Sequence, residues 1–104
     1  MKRKLLSTLI GTAFALGAGA AQAQISDGVI KIGVMNDMSG LYADIAGPGS
    51  VTAARMAVED FGAAAKGLRV EILGADHQNK PDVGSTIART WYDRDQVDVI
   101  VDVP

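Results

Sequence analysis

Three runs of largely apolar, often β-branched residues, at 29–35, 68–73 and 97–103, limit what this chain can become. The first, Val29-Ile30-Lys31-Ile32-Gly33-Val34-Met35, sets Ile30, Ile32 and Val34 on one face yet stays nearly apolar throughout. A strand wetted on one side alternates apolar with polar residues; a strand covered on both sides does not. This run therefore reads as a strand of a parallel sheet. Leu68-Arg69-Val70-Glu71-Ile72-Leu73 is a second strand, opened by the turn pair Lys66-Gly67, and residues 97–103 form a third.

Between the strands the apolar period changes from two to 3.6. Val51, Ala54, Val58 and Phe61 stack along one face of a helix expected over residues 50–62, because residues three and four apart share a helix face. Gly62 can take the left-handed conformation that ends such a helix. Pro81 suits the first position of a second helix, where its missing N–H does no harm, and Asp82 complements the dipole there. Val83, Ile87 and Trp91 make this helix's buried stripe, with Trp91 in the core. The order β-α-β-α-β predicts an α/β fold, a parallel three-layer sandwich with right-handed crossovers. Three strands and two helices leave one face poorly covered. Residues 24–104 are therefore expected to be an incomplete, N-terminal part of a larger domain.

The first 23 residues read differently. Lys2, Arg3 and Lys4 precede an uncharged stretch, residues 5–18, that is too short for the roughly 20 apolar residues of a membrane span. Ala21-Gln22-Ala23 then offers the small residues a signal peptidase accepts. Residues 1–23 are thus expected to be a cleavable signal peptide, cut between Ala23 and Gln24, sending the protein to the periplasm. Of the 10 Lys and Arg in the chain, three lie in this segment, leaving seven against 12 Asp and Glu. A mature net charge near −5 disfavours nucleic acid or an anionic membrane as partner. There is no cysteine. Lipid attachment at a cleavage-site thiol is excluded, and so is the disulfide framework common in small exported domains.

Ligands of open parallel sheets bind beyond the carboxyl ends of the strands. Those positions are residues 36–50, residues 74–80 and whatever follows residue 103. The first loop presents Ser39 and Tyr42 as hydrogen-bonding side chains, ahead of a helix start that can receive an anion. A purely structural alternative has Ser39 and Gly40 shaping a turn and Tyr42 packing at the surface. Gly47-Pro48-Gly49 is not a dinucleotide fingerprint, because Thr52 stands where the third glycine belongs and the glycines lie far from the strand end. The only histidine, His77, could join Asp37, Asp44, Asp76 and Asp102 at the sheet edge. No metal-binding spacing is present, and a hydrogen-bonded loop histidine is the expectation. With no GxSxG motif and no cysteine, no catalytic triad assembles, and neither metal, cofactor nor enzymatic chemistry is expected.

Ile30-Lys31-Ile32-Gly33-Val34 followed by Asp37-Met38-Ser39-Gly40, then Ala57-Val58-Glu59-Asp60 and Ala75-Asp76-His77-Gln78-Asn79-Lys80-Pro81, resembles leucine/isoleucine/valine-binding-type periplasmic proteins in order and spacing. The resemblance implies lobe one of a type I periplasmic binding fold. It also implies an extracytoplasmic receptor that binds an amino acid or related small carboxylate, aliphatic or aromatic, and delivers it to the membrane permease of an ABC importer. Ser39, Tyr42 and Gln78 are its implied ligand-binding residues here. In branched-chain binders a tyrosine stands a few residues after Met-Ser-Gly; here Tyr42 lies closer to Gly40, and Ile45 or Ala46 is nearest that position. The loop implied to hold the ligand carboxylate and ammonium follows the third strand, beyond Pro104. A sensory domain of the same fold and a secreted α/β hydrolase are the rival readings. A peptide of residues 24–104 alone is expected to unfold without a sharp thermal transition and to bind no amino acid; calorimetry and titration check both.

Overall fold

The computed structural model describes residues 25 and 27–104. The expected signal peptide and its cleavage point lie outside the described residues. The chain forms β1 (Ile30–Asn36), α1 (Gly47–Phe61), a 3₁₀ turn (Ala64–Lys66), β2 (Val70–Asp76), α2 (Pro81–Asp93) and β3 (Val99–Val101). All three strands are parallel, in the order β2-β1-β3. Ile30 pairs with Val70 and Asn36 with Asp76 along one edge of β1, and Ile32 pairs with Val99 along the other. This is the expected α/β fold.

The helices cover opposite faces. Val51 of α1 lies against Gly74, where a Cβ would come within 2.9 Å of its Cγ2. Ala54, Val58 and Phe61 share an apolar trough of about 440 Å³ with Ile30, Ile32 and Ile72. On the other face Trp91 of α2, together with Met35 and Val97, forms the buried cluster that Leu73, Ala75 and Ile87 flank. Alternation along β1 and β2 sends neighbouring side chains to opposite helices.

Element ends follow local chemistry. α1 begins three residues before the expected start, because Pro48 fits its first turn as Pro81 fits that of α2. Gly62, at φ 70°, ends α1 in the left-handed conformation. Its N–H donates to the Glu59 carbonyl, and the next N–H, from Ala63, reaches the Val58 carbonyl, which is a Schellman closure. Phe61 does not complete a buried stripe: it is 58% exposed at the open end of the trough, with the Lys66 ammonium 5.0 Å from its ring centroid. β2 starts at Val70 and runs on to Asp76, because its ladder with β1 continues to the Asn36 pair. β3 is shorter than expected. The Val97 N–H is spent on the Trp91 carbonyl, and Asp98 offers its carboxylate to the Lys31 N–H at 2.8 Å.

Gly33 marks the tightest contact between helix and sheet. A Cβ there would stand 2.4 Å from Cζ3 of Trp91, well inside van der Waals separation. The indole therefore lies directly on the β1 backbone. Gly33→Ala forces the indole or the helix away, and the expected cost is about 1–3 kcal/mol, the range for overpacking a filled core. Denaturant unfolding of the protein beside its variant measures it.

Candidate functional site

β1 lies between its two partners. The chain leaves it through α1 to reach β2, and crosses back through α2 on the other face to reach β3. The connection that leaves β1 and the one that arrives at β3 thus run over opposite faces, and a crevice lies between the carboxyl ends of these two strands. This is the topological switch point at which α/β sheets of this kind bind ligands.

Two carboxylates organise the loops around that crevice. Asp37, 1% exposed, accepts the Gly40 N–H on Oδ1 at 2.9 Å and the Tyr42 N–H on Oδ2 at 3.1 Å. The loop after β1 is folded around it as an aspartate-centred turn. Gly40 is required there, since a Cβ would lie 2.7 Å from Asp37 Oδ2. Asp76, at the end of β2, ties that loop to the next one. Its Oδ1 accepts the Met38 N–H at 3.0 Å and the Gln78 N–H at 2.8 Å, and its Oδ2 accepts the Ser39 hydroxyl at 2.6 Å. The Ser39 hydroxyl above all, then the Met38 N–H, hold the Asp76 carboxyl below the usual carboxylate range.

The strand ends are pinned in turn. The buried Asn36 donates Nδ2–H to Asp102 Oδ2 at 2.9 Å. The Ser50 hydroxyl and this Asn36 amide lower the Asp102 carboxyl from its ordinary value. The His77 N–H continues the β1–β2 ladder onto the Asn36 carbonyl, and His77 Nδ1 accepts the Asn79 N–H at 2.9 Å. Gln78 and Asn79 both take positive φ, 55° and 54°, a conformation that asparagine tolerates better than glutamine. Two buried polar atoms, Asn36 Oδ1 and His77 Nε2, have no hydrogen-bond partner among the described residues.

Two cavities adjoin the crevice and share His77, Asn79 and Pro104. The smaller, about 290 Å³, is walled by Asp37, Tyr42, Ile45 and Ala46. The larger, about 410 Å³, runs under the first turn of α2, with Met35 and Val103 in its lining. Of the residues anticipated to bind ligand, Tyr42 lines the smaller cavity, 45% exposed. Ser39 lines neither cavity, and its hydroxyl is engaged by Asp76. Gln78 also lies outside both linings, with its backbone N–H on Asp76. The sequence offered Ser39 and Gly40 as turn-shaping residues, but nothing in it signalled that Asp37 would centre that turn or that Asp76 would bridge two loops. Among the described residues no three or more His, Asp or Glu are placed to hold a metal ion, and no helix is long and apolar enough to cross a membrane.

A family model described as periplasmic binding protein matches residues 29–104. The chain belongs to the periplasmic binding protein family. Among solved structures, a periplasmic binding protein from Burkholderia mallei is 49% identical with a TM-score of 0.67, over 72% of this chain and 20% of its own. A branched-chain amino acid ABC transporter periplasmic ligand-binding protein from Burkholderia xenovorans LB400 is 53% identical, also with a TM-score of 0.67, over 71% of this chain and 20% of its own. The chain thus spans about a fifth of the length of these binding proteins. A comparison with curated proteins finds no significant match.

The lowered pKa of Asp76 has a consequence with a definite sign. A carboxyl whose folded pKa is depressed contributes stability above its unfolded pKa and loses it as pH falls through the folded value. The tie between the loops therefore holds at neutral pH and begins to weaken as pH falls through the ordinary carboxylate range at about pH 4. It is lost only at the lower pH where the folded carboxyl takes up its proton. Asp76→Asn is expected to lower the thermal midpoint at neutral pH and to give a shallower acid limb. Midpoints of both proteins recorded from neutral to strongly acidic buffer check this.

Proposed function

We propose that this chain opens the solute-binding component of an ABC import system, an exported receptor that takes an amino acid or related small carboxylate. The observation that carries the reading is the switch-point crevice, with two tied loops around it, in a chain 53% identical to a branched-chain amino acid ABC transporter periplasmic ligand-binding protein. Family membership supports a solute-binding role without covalent chemistry, and the amino-terminal sequence supports export to the periplasm.

The mechanism follows from the shape of the crevice. A solute resting on the carboxyl edge of this sheet is covered on one side only, so a second lobe completes the site. Contacts from both lobes stabilise the closed state about a hinge. Closure excludes water and strengthens each hydrogen bond to the solute. The membrane permease then reads the closed form. Tyr42 contributes ring surface and a hydroxyl at the smaller cavity, beside the apolar Ile45 and Ala46. Ser39 and Gln78 act at the rim, where Asp76 holds the Ser39 hydroxyl and the Gln78 backbone N–H.

The test is a thermal-shift screen of the exported protein against the amino acids and a set of aliphatic and aromatic carboxylates. At least one solute is expected to raise the midpoint, and Tyr42→Ala to weaken that solute roughly tenfold, the effect of losing one buried aromatic contact. A flat response to every carboxylate, or turnover of any of them, removes the reading.

A further inference from the structure

The loop scaffold leaves one donor at the crevice unspent. His77 is 6% exposed, and its Nδ1 accepts the Asn79 N–H at 2.9 Å. A ring nitrogen that accepts a hydrogen bond carries no proton, so the imidazole N–H is at Nε2. That Nε2–H is closed off from solvent and meets no acceptor among the described residues. Folded proteins leave few such donors, because a buried N–H without an acceptor forfeits the bond it had in water.

The surroundings favour one kind of acceptor. His77 belongs to both cavities, and the larger opens on the first turn of α2 through Pro81, Gly84 and Ser85. No side chain caps that turn, so its leading N–H groups and the positive end of the helix dipole attract an anionic oxygen. Lys80, at the helix cap and in the same lining, adds a positive charge; the exposed Asp82 in the first turn opposes it. The nearby carboxylates are already engaged, Asp37 and Asp76 by backbone N–H groups and Asp102 by Asn36. An ammonium has nothing to accept from Nε2–H. An oxygen has.

We propose that His77 contacts the solute: its Nε2–H, covered in this structure, is uncovered as solute enters and donates to a carboxylate oxygen at the boundary of the two cavities. The inference rests on the solute-receptor reading and adds a donor to the contacts that the family resemblance places after β3. The fixed tautomer makes the contact selective: the ring can give a hydrogen bond there but cannot receive one. Solutes presenting only a donor at this point, an ammonium or an amide N–H, are discriminated against.

The experiment uses the exported protein and the carboxylate that gives the largest thermal shift in the screen. Isothermal titration compares it with His77→Phe, which keeps a ring but removes the donor, and with His77→Gln, which keeps an N–H. Affinity is expected to fall roughly tenfold or more in the phenylalanine variant, as for loss of a hydrogen bond to a charged group, and less in the glutamine variant. In the unsubstituted protein, imidazole ¹⁵N spectra are expected to show the Nε2–H tautomer, with that proton shifting on saturation. A folded phenylalanine variant that binds within about twofold of the parent overturns the proposal alone. So does an Nε2–H resonance unmoved by saturating solute, which is readable even if neither variant folds. Absence of binding to any carboxylate by the unsubstituted protein overturns the receptor reading, and the role of His77 with it.

Discussion

The indole of Trp91 resting on the backbone at Gly33 is the contact on which the remainder of this structure depends. Among the described strands β1 alone is paired on both edges, and Gly33 sits in its middle. Because no Cβ intervenes, α2 approaches the sheet closely enough to bury Trp91 with Met35 and Val97. The Val97 N–H on the Trp91 carbonyl then turns the chain from the end of α2 toward β3. One apolar contact thus sets the position of α2, and α2 in turn sets where β3 joins β1. A parallel strand has no hairpin to place it, so this indirect route is how its register is fixed.

The carboxyl edge is held by different forces. Apolar packing positions the strands, but the loops beyond them contain few apolar anchors, and Leu41 and Ile45 stand more than 80% exposed. Hydrogen bonds to carboxylates take over. Asp37 closes the loop after β1 on itself, Asp76 joins it to the loop after β2, and Asp102 ties the end of β3 to Asn36. Charge-assisted bonds of this kind are shorter and stronger than neutral ones. They give the crevice a defined rim without filling it with side chains. Such a rim suits a binding crevice, since a rim that collapsed when empty would have to be reopened at the expense of binding energy.

The opposite edge is anchored separately. Lys31 donates its ammonium to the Asp95 carbonyl at 3.0 Å and pairs with Asp27 at 3.0 Å. Asp98 meets the Lys31 N–H from the neighbouring strand. The hydrogen bond between Lys31 and Asp27 raises the pKa of the lysine and lowers that of the aspartate. One residue with an apolar stem and a charged head thus joins the lead-in, β1 and the turn before β3 at the amino ends of the strands.

By itself the sequence determined the element order, the parallel strands and the helix ends at Pro81 and Gly62, because these follow from apolar periodicity and from the backbone limits of proline and glycine. It also offered Ser39 and Gly40 as turn formers and Trp91 as core, since both depend on residues close in the chain or on one helix face. The tertiary structure alone decided why residue 33 must be glycine, because the ring that occupies the space of its Cβ lies 58 positions away in the chain. It also decided the roles of Asp76 and His77. Asp76 in the sequence is one acidic residue among 12 Asp and Glu, and only the parallel pairing of β1 with β2 brings it beneath Met38 and Ser39. Phe61 ran the other way, helical in period yet exposed, because a helix stripe is buried only where something covers it. Periodicity names the face a residue points from; what stands opposite depends on pairings between distant segments, and those have no local signature.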